Sequence, residues 1–270
     1  MSRSNYTLGI DLGGTSVKCA ALATATRDVL LTRTTDTADG EQVAGGPAFL
    51  VAIKQLVADI ELELGPAVGI GVSAPGLAAR DESCIEYMVG RLDGLMGLNW
   101  RDALGRADVV PVLNDAQAAL LGEVEMGAAE GLENVFMLTL GTGVGGAAMV
   151  DGHLLRSHIG RAGHLGHITV DFEGAPDIVQ TPGSLEDAVG NATIAQRSNG
   201  AYETTLALIE GVEQQDAQAE AIWHRSVKAL AAGIASLVNV LDPEAVIIGG
   251  GISVAATRIR PSRPQADRAK

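Results

Sequence analysis

Apolar and polar residues alternate through 6–11, and 16–23 is a largely apolar run, which predicts two strands joined by the tight turn Leu12-Gly13-Gly14-Thr15, with 29–35 a third strand. Phe49, Ile53, Leu56, Val57, Ile60 and Leu64 then fall on one face of a helix, and the short apolar run 68–72 after them is a buried strand. Helix followed by strand predicts a crossover. A further apolar strand is expected over 109–113, followed by Asn114-Asp115 and a helix over 116–126, rich in Ala, Leu and Glu. Asp115 is thus placed where a strand ends and a helix begins.

The pattern then repeats. Strands over 135–140 and 145–150 flank Gly141-Thr142-Gly143, so a glycine-rich hairpin opens each of two successive αβ units, the mark of an internal duplication. Periodicity fades between Gly160 and Gly190, where glycine, proline and histidine become frequent in a long loop region suited to carry function. A helix over 217–241 is predicted from Ala221, Val227, Leu230, Ile234, Leu237 and Leu241, followed by a strand over 245–248 closed by Gly249-Gly250-Gly251. Beyond Ser253 the chain turns Arg- and Pro-rich with little apolar content, which predicts disorder over 255–270.

A chain of 270 residues with 47% hydrophobic content can bury two modest cores, so two lobes with a cleft between them are expected. The boundaries suggested by the pattern are 1–115, 116–254 and the tail 255–270. The formal net charge of −14 argues against nucleic acid or an anionic membrane as partner, since either would be repelled. Any phosphate must then be met locally. Two cysteines, Cys19 and Cys84, make neither a disulfide framework nor a zinc ligand set, which suits a reducing cytoplasm. The polar start lacks the zones of a signal peptide, and no uninterrupted apolar run reaches spanning length, so a soluble cytoplasmic protein is expected.

Asp11-Leu12-Gly13-Gly14-Thr15 offers glycines that let backbone amides approach an anion, with a carboxylate able to hold Mg²⁺ through water. Gly141-Thr142-Gly143-Val144-Gly145-Gly146 offers the same without the carboxylate. One such turn is an ordinary hairpin; two in successive units can clasp a polyphosphate with amide dipoles and a metal instead of a field of lysines. Lys18 is read as a solvated strand residue. Asn114-Asp115 alone is a helix N-cap. Beside two phosphate turns, Asp115 is also placed to accept a hydroxyl proton as that oxygen attacks a terminal phosphorus.

These motifs, with Leu113-Asn114-Asp115-Ala116, Ala74-Pro75-Gly76, Asp151-Gly152-His153-Leu154-Leu155 and Gly249-Gly250-Gly251, occur in an order and spacing that resembles the ROK family of sugar kinases over about residues 8–253. The resemblance implies an α/β fold, a two-lobed ribonuclease H-like (actin-like ATPase) duplication with a mixed sheet and helices in each lobe. It implies ATP and Mg²⁺ as cofactors, a hexose or N-acetylated hexosamine as acceptor, and a possible homodimer. Position by position, it makes Asp115 the catalytic base and Asn114, His164, His167 and Glu186 the sugar-binding set. Asp11, Gly13, Gly14, Thr15, Gly141, Thr142, Gly143, Gly249 and Gly250 become the nucleotide side, with Asp11 holding the metal, Thr142 touching the transferring phosphate, and Gly249 and Gly250 bordering the adenosine.

The chain departs from the family in three places. His164-Leu165-Gly166-His167 stands where the family has Glu-x-Gly-His, and a neutral imidazole has one acceptor where a carboxylate has several, so His164 is a candidate specificity residue. The stretch 177–186 has no cysteine, so the family's structural zinc is not expected, and two histidines without thiol or acidic companions seldom close a metal site. The sequence past the triple glycine is unlike the family's further helix, which would leave one face of the first lobe uncovered. A member that binds sugar without turnover, or regulates, is the competing expectation; a DNA-binding role is disfavoured because only a handful of residues precede Asp11.

Overall fold

The computed structural model describes residues 5–88, 90–156 and 158–259. Contacts divide the chain into two units, Met1–Glu130 with Leu155–Ala162, and Gly131–Leu154 with Gly163–Lys270. The first unit therefore extends beyond 115, because the helix after Asp115 packs on the strands that precede it.

In the first unit, β1 (Tyr6–Leu12) pairs antiparallel with β2 (Ser16–Ala23), and β2 with β3 (Val29–Asp36). Helix α1 (Ala48–Leu64) crosses to β4 (Gly69–Ala74), which lies parallel to β1, and β5 (Val112–Asn114) lies parallel to β4. The sheet order is β3-β2-β1-β4-β5. Strict alternation in β1 turns Tyr6, Leu8, Ile10 and Leu12 into the core, where they meet Phe49, Ile53, Val57 and Ile60 of α1. Asp11 is left on the opposite face. The expected strand over 109–113 begins only at Val112: Pro111 has no N–H to give a ladder, and Val109 is 68% exposed. Helix α2 (Asp115–Met126) follows at once. The later segment Leu155–Ala162 returns to this unit, where Arg156 pairs with Glu82.

The second unit repeats the arrangement. Strand β6 (Val135–Leu140) pairs antiparallel with β7 (Val144–Val150), β7 with β8 (His153–Leu154), and β6 lies parallel to β9 (Ala245–Gly249). The order β8-β7-β6-β9 matches β3-β2-β1-β4 of the first sheet, as a duplication requires. The loop region 163–190 holds one 3₁₀ turn at Leu165–His167 and the short helix α3 (Leu185–Val189). Helices α4 (Thr205–Glu213) and α5 (Ala217–Leu241) complete the unit, with Asp216 capping α5 through Gln218 N–H and Ala219 N–H.

The buried face of α5 shares Leu237 with the expected one and differs from it in part. Ala219, Ser226, Gly233 and Leu237 are buried, whereas Val227 is exposed. Small residues let α5 come close to its neighbours: a Cβ at Gly233 would stand 3.2 Å from side-chain carbons of both Ile168 and Leu185. The start of the expected disordered tail is also ordered. Helix α6 (Gly251–Ala256) buries Ile252, and Arg258 makes a two-pronged pair with Glu213, Nε to Oε1 at 3.0 Å and Nη2 to Oε2 at 2.7 Å. The remainder of that expectation, 260–270, lies outside the described residues. Among the described residues, no helix is long and apolar enough to cross a membrane.

The fold predicts a sharp contrast along α1. Ile53→Ala, at a side chain 0% exposed in the centre of the first core, is expected to cost about 2–5 kcal/mol of unfolding free energy in denaturant titration. Leu62→Ala, at a residue 87% exposed on the same helix, is expected to change it by less than about 0.5 kcal/mol.

Candidate active site

In the first unit the Gly13-Gly14 turn is held from behind. Gly13 N–H donates to Ser16 O at 3.0 Å, the Thr37 hydroxyl donates to Gly13 O at 2.7 Å, and Thr37 N–H donates to Thr15 O at 2.9 Å. Thr37 is fully buried, so the turn rests on a fixed support. Asp11, at the end of β1, accepts from the Ser73 hydroxyl at 3.1 Å. Two oxygen donors thus stand beside the glycine turn.

Asn114 caps α2. Its Oδ1 accepts from Ala116 N–H at 3.0 Å, and its Nδ2 donates to Gly76 O at 3.0 Å. Gly76 has a φ of +108°, and an added Cβ would lie 2.7 Å from both Ile85 Cγ2 and Tyr87 O, so only glycine fits there. Asp115 follows as the first residue of α2, and its own Oδ1 also accepts from Ala116 N–H at 2.8 Å. The carboxyl reaches solvent, as a base must, yet protein surrounds it closely enough to desolvate it. Burial therefore raises its pKa, the nearby Asp11 charge adds to the rise, and the Ala116 N–H, Arg91 and Asn114 oppose it.

Arg91 has no counterpart among the expected residues. Its guanidinium lies against the glycine turn, where a Cβ added at Gly14 would stand 2.7 Å from Nη1. It is held there by the next residue: Leu92 is buried and its N–H donates to Asp39 Oδ1 at 2.7 Å. The first unit therefore brings Asp11, Gly13, Gly14, Asn114 and Asp115 together and adds a cation, while Lys18 is an exposed strand residue paired in register with Asp11.

In the second unit the Gly141-Thr142-Gly143 turn is stitched to the chain after α3. Gly141 N–H donates to Gly143 O at 2.9 Å, Asn191 N–H to Gly141 O at 3.0 Å, and Ala192 N–H to Thr142 O at 2.8 Å. Glu186 accepts from Val144 N–H at 3.0 Å and sits against Gly143. Gly249 is paired with Thr139, and Gly250, with φ +91°, lies on the backbone of Leu140, where an added Cβ would clash. The two glycine segments are therefore neighbours at the end of β6.

His164 and His167 stack with ring centroids 6.4 Å apart. His167 Nδ1 lies 2.8 Å from Asp177 Oδ2. Glu186 is joined to the glycine turn, whereas His167 is joined to Asp177, a residue that the sequence pattern did not single out. Half-buried Arg197 donates to Val189 O and Gly190 O at 3.2 and 2.7 Å, pinning the end of α3. Burial lowers its pKa to about 10, opposed by Asp187. Among the described residues, no three or more His, Cys, Asp or Glu side chains gather to hold a metal ion.

Comparison with known proteins agrees along nearly the whole chain. The ROK family matches residues 7–262. A glucokinase of Halalkalibacterium halodurans is 33% identical over 94% of this chain and 83% of that protein. The crystal structure of a ROK hexokinase from Thermus thermophilus aligns with a TM-score of 0.79 at 28% identity, over 92% of this chain and 83% of that one. A ROK family glucokinase from Streptomyces griseus, solved with glucose and AMPPNP, aligns with a TM-score of 0.70 at 26% identity, over 93% and 85%.

The electrostatics around Asp115 can be measured without any substrate. Carbon-detected NMR titration is expected to give Asp115 a pKa above that of an ordinary aspartate, and Arg91→Met is expected to raise it further, since the lost cation favoured the ionised form.

Proposed function

Because this chain belongs to the ROK family, with the actin-like ATPase fold of its solved relatives, we propose that it transfers the γ-phosphoryl group of ATP to a hydroxyl of a hexose or N-acetylated hexosamine, with Asp115 as general base. The chain is a carbohydrate kinase. The observation that carries the finer reading is Asp115 itself: a solvent-reachable carboxyl, raised in pKa, beside the glycine turn, Asp11 and Arg91. A base works best when its pKa approaches the working pH, and burial moves Asp115 in that direction.

In the proposed reaction the sugar O–H proton passes to the Asp115 carboxylate as the sugar oxygen attacks the γ-phosphorus. The new O–P bond forms while the bond from phosphorus to the β,γ-bridging oxygen breaks, and ADP leaves. The amides of Gly14 and Thr15, and those of Thr142 and Gly143, are assigned to phosphate oxygens, while Gly13 and Gly141 shape the turns, their own N–H groups bonded within them. Gly249 and Gly250 are assigned to the adenosine side. Arg91 adds a positive charge at the first turn.

The first unit's donors suit Mg²⁺: the Asp11 carboxylate, with the Ser73 hydroxyl on it, is the hard-oxygen set that this ion prefers. Bound there through water, the ion would neutralise phosphate charge. His164, His167 and Glu186 are assigned to sugar hydroxyls. Asn114 spends one lone pair on Ala116, one N–H on Gly76 and the other N–H on the Asp115 carboxylate, which leaves one lone pair for the sugar.

A coupled assay across glucose, mannose and N-acetylated hexosamines tests the proposal. Asp115→Asn is expected to lower kcat by about 10²–10⁴-fold with the fold intact, and wild-type turnover in that variant would sink the assignment. In wild type, kcat/KM is expected to fall with acid through the raised Asp115 pKa, and Arg91→Met should move that limb to higher pH. His164→Glu is expected to reorder kcat/KM among the sugars; unchanged ratios would remove His164 as a specificity residue.

A further inference from the structure

The loop 163–184 has little regular structure, yet it is gathered around one side chain. The Asp177 carboxylate is 0% exposed. Its Oδ2 is 2.8 Å from His167 Nδ1, and its Oδ1 accepts from Val179 N–H at 2.9 Å and Thr181 N–H at 2.8 Å. The Ser184 hydroxyl donates to it as well. Ser184 is itself buried and caps α3 by accepting from Asp187 N–H at 3.2 Å, and that same first turn delivers Glu186 to Val144 N–H. One carboxylate therefore organises both the histidine and the helix that carries Glu186.

Burial pushes the Asp177 pKa up, but the bonds from Thr181, His167, Ser184 and Val179 outweigh it, and the net shift is downward. The carboxylate is ionised and can only accept. The proton between the two groups then sits on His167 Nδ1, and in the neutral form of such a ring Nε2 is the acceptor. The charged and titratable groups around the ring are Asp177, Asp187 and the stacked His164, with Arg197 acting on Asp187.

We propose that Asp177 is a positioning residue that fixes the Nδ1–H tautomer of His167, so that Nε2 accepts a hydrogen bond from a sugar hydroxyl. The inference rests on the sugar-kinase reading and assigns the loop's organising role to a carboxylate. The recognised group is a hydroxyl acting as donor, so the sugar contact at this position requires a free O–H.

The tautomer is read directly by long-range ¹H–¹⁵N correlation in protein labelled at histidine. Wild type is expected to show His167 protonated at Nδ1 at neutral pH; protonation at Nε2 would overturn the proposal whether or not any variant folds. Asp177→Asn keeps the shape but supplies an N–H in place of an acceptor, and is expected to move the proton to Nε2. Sugar KM should rise roughly 10- to 100-fold, the range that outer partners of a functional histidine command, while ATP KM stays within about twofold.

A double-mutant cycle separates positioning from general damage. In a His167→Gln background, Asp177→Asn is expected to add no further change in sugar KM. The same fold-loss in both backgrounds would overturn the proposal, as would a tautomer indifferent to Asp177→Asn. Absence of sugar phosphorylation by wild type would instead sink the kinase reading and leave the tautomer result to be judged by itself.

Discussion

Asn114 accepts from Ala116 N–H and donates to the carbonyl of Gly76, and with those two bonds it ties the first turn of α2 to the chain that leaves β4. The next residue is Asp115, so the direction of its carboxyl is set before any ligand arrives. Gly76 can occupy its left-handed conformation only because it has no side chain to meet Ile85 and Tyr87. The chemistry of the first unit thus depends on a cap that is also a latch. The glycine turn after β1 is steadied in a similar way by Thr37, which leaves its outward amides in a fixed array.

The second unit solves the same problem with carboxylates. Glu186 steadies the β6–β7 turn through Val144 N–H, and Asp177 gathers the preceding loop through four donors. Each accepts from backbone N–H groups, so acidic residues serve here as structural acceptors. This use of acid helps to reconcile a net charge of −14 with the binding of a polyanion. Positive groups at the first glycine turn are its backbone amides and the Arg91 guanidinium lying against Gly14.

The two glycine hairpins, the buried face of α1 and the duplication were legible in sequence because each carries a strong local period: Tyr6, Leu8 and Ile10 alternate, and Phe49, Ile53, Val57 and Ile60 recur at helical spacing. The buried face of α5 was legible at Leu237 but not at Ala219, Ser226 and Gly233, which are buried because they are small, a property that hydropathy does not register. Pro111 delayed β5 by removing a ladder donor that the apolar run seemed to promise. Arg91 and Asp177 escaped notice for a common reason. Both come from irregular segments, and their partners, Gly14 and His167, are reached through space and not along a repeating face. The short α6 and the Arg258–Glu213 pair lay in a segment whose composition suggested no structure at all.

The manner in which loop 163–184 is gathered decides what can disturb it. Its hub consists of oxygen and imidazole nitrogen, and the sequence from 163 to 184 contains no cysteine, so peroxide or a thiol-modifying reagent finds nothing there to attack. Acid is the agent to which this hub is vulnerable. The folded pKa of Asp177 lies below its ordinary value, so the support it lends is complete in neutral medium and drains away only as protons overtake that depressed value. An oxidant would leave this knot tied, and acid would loosen it.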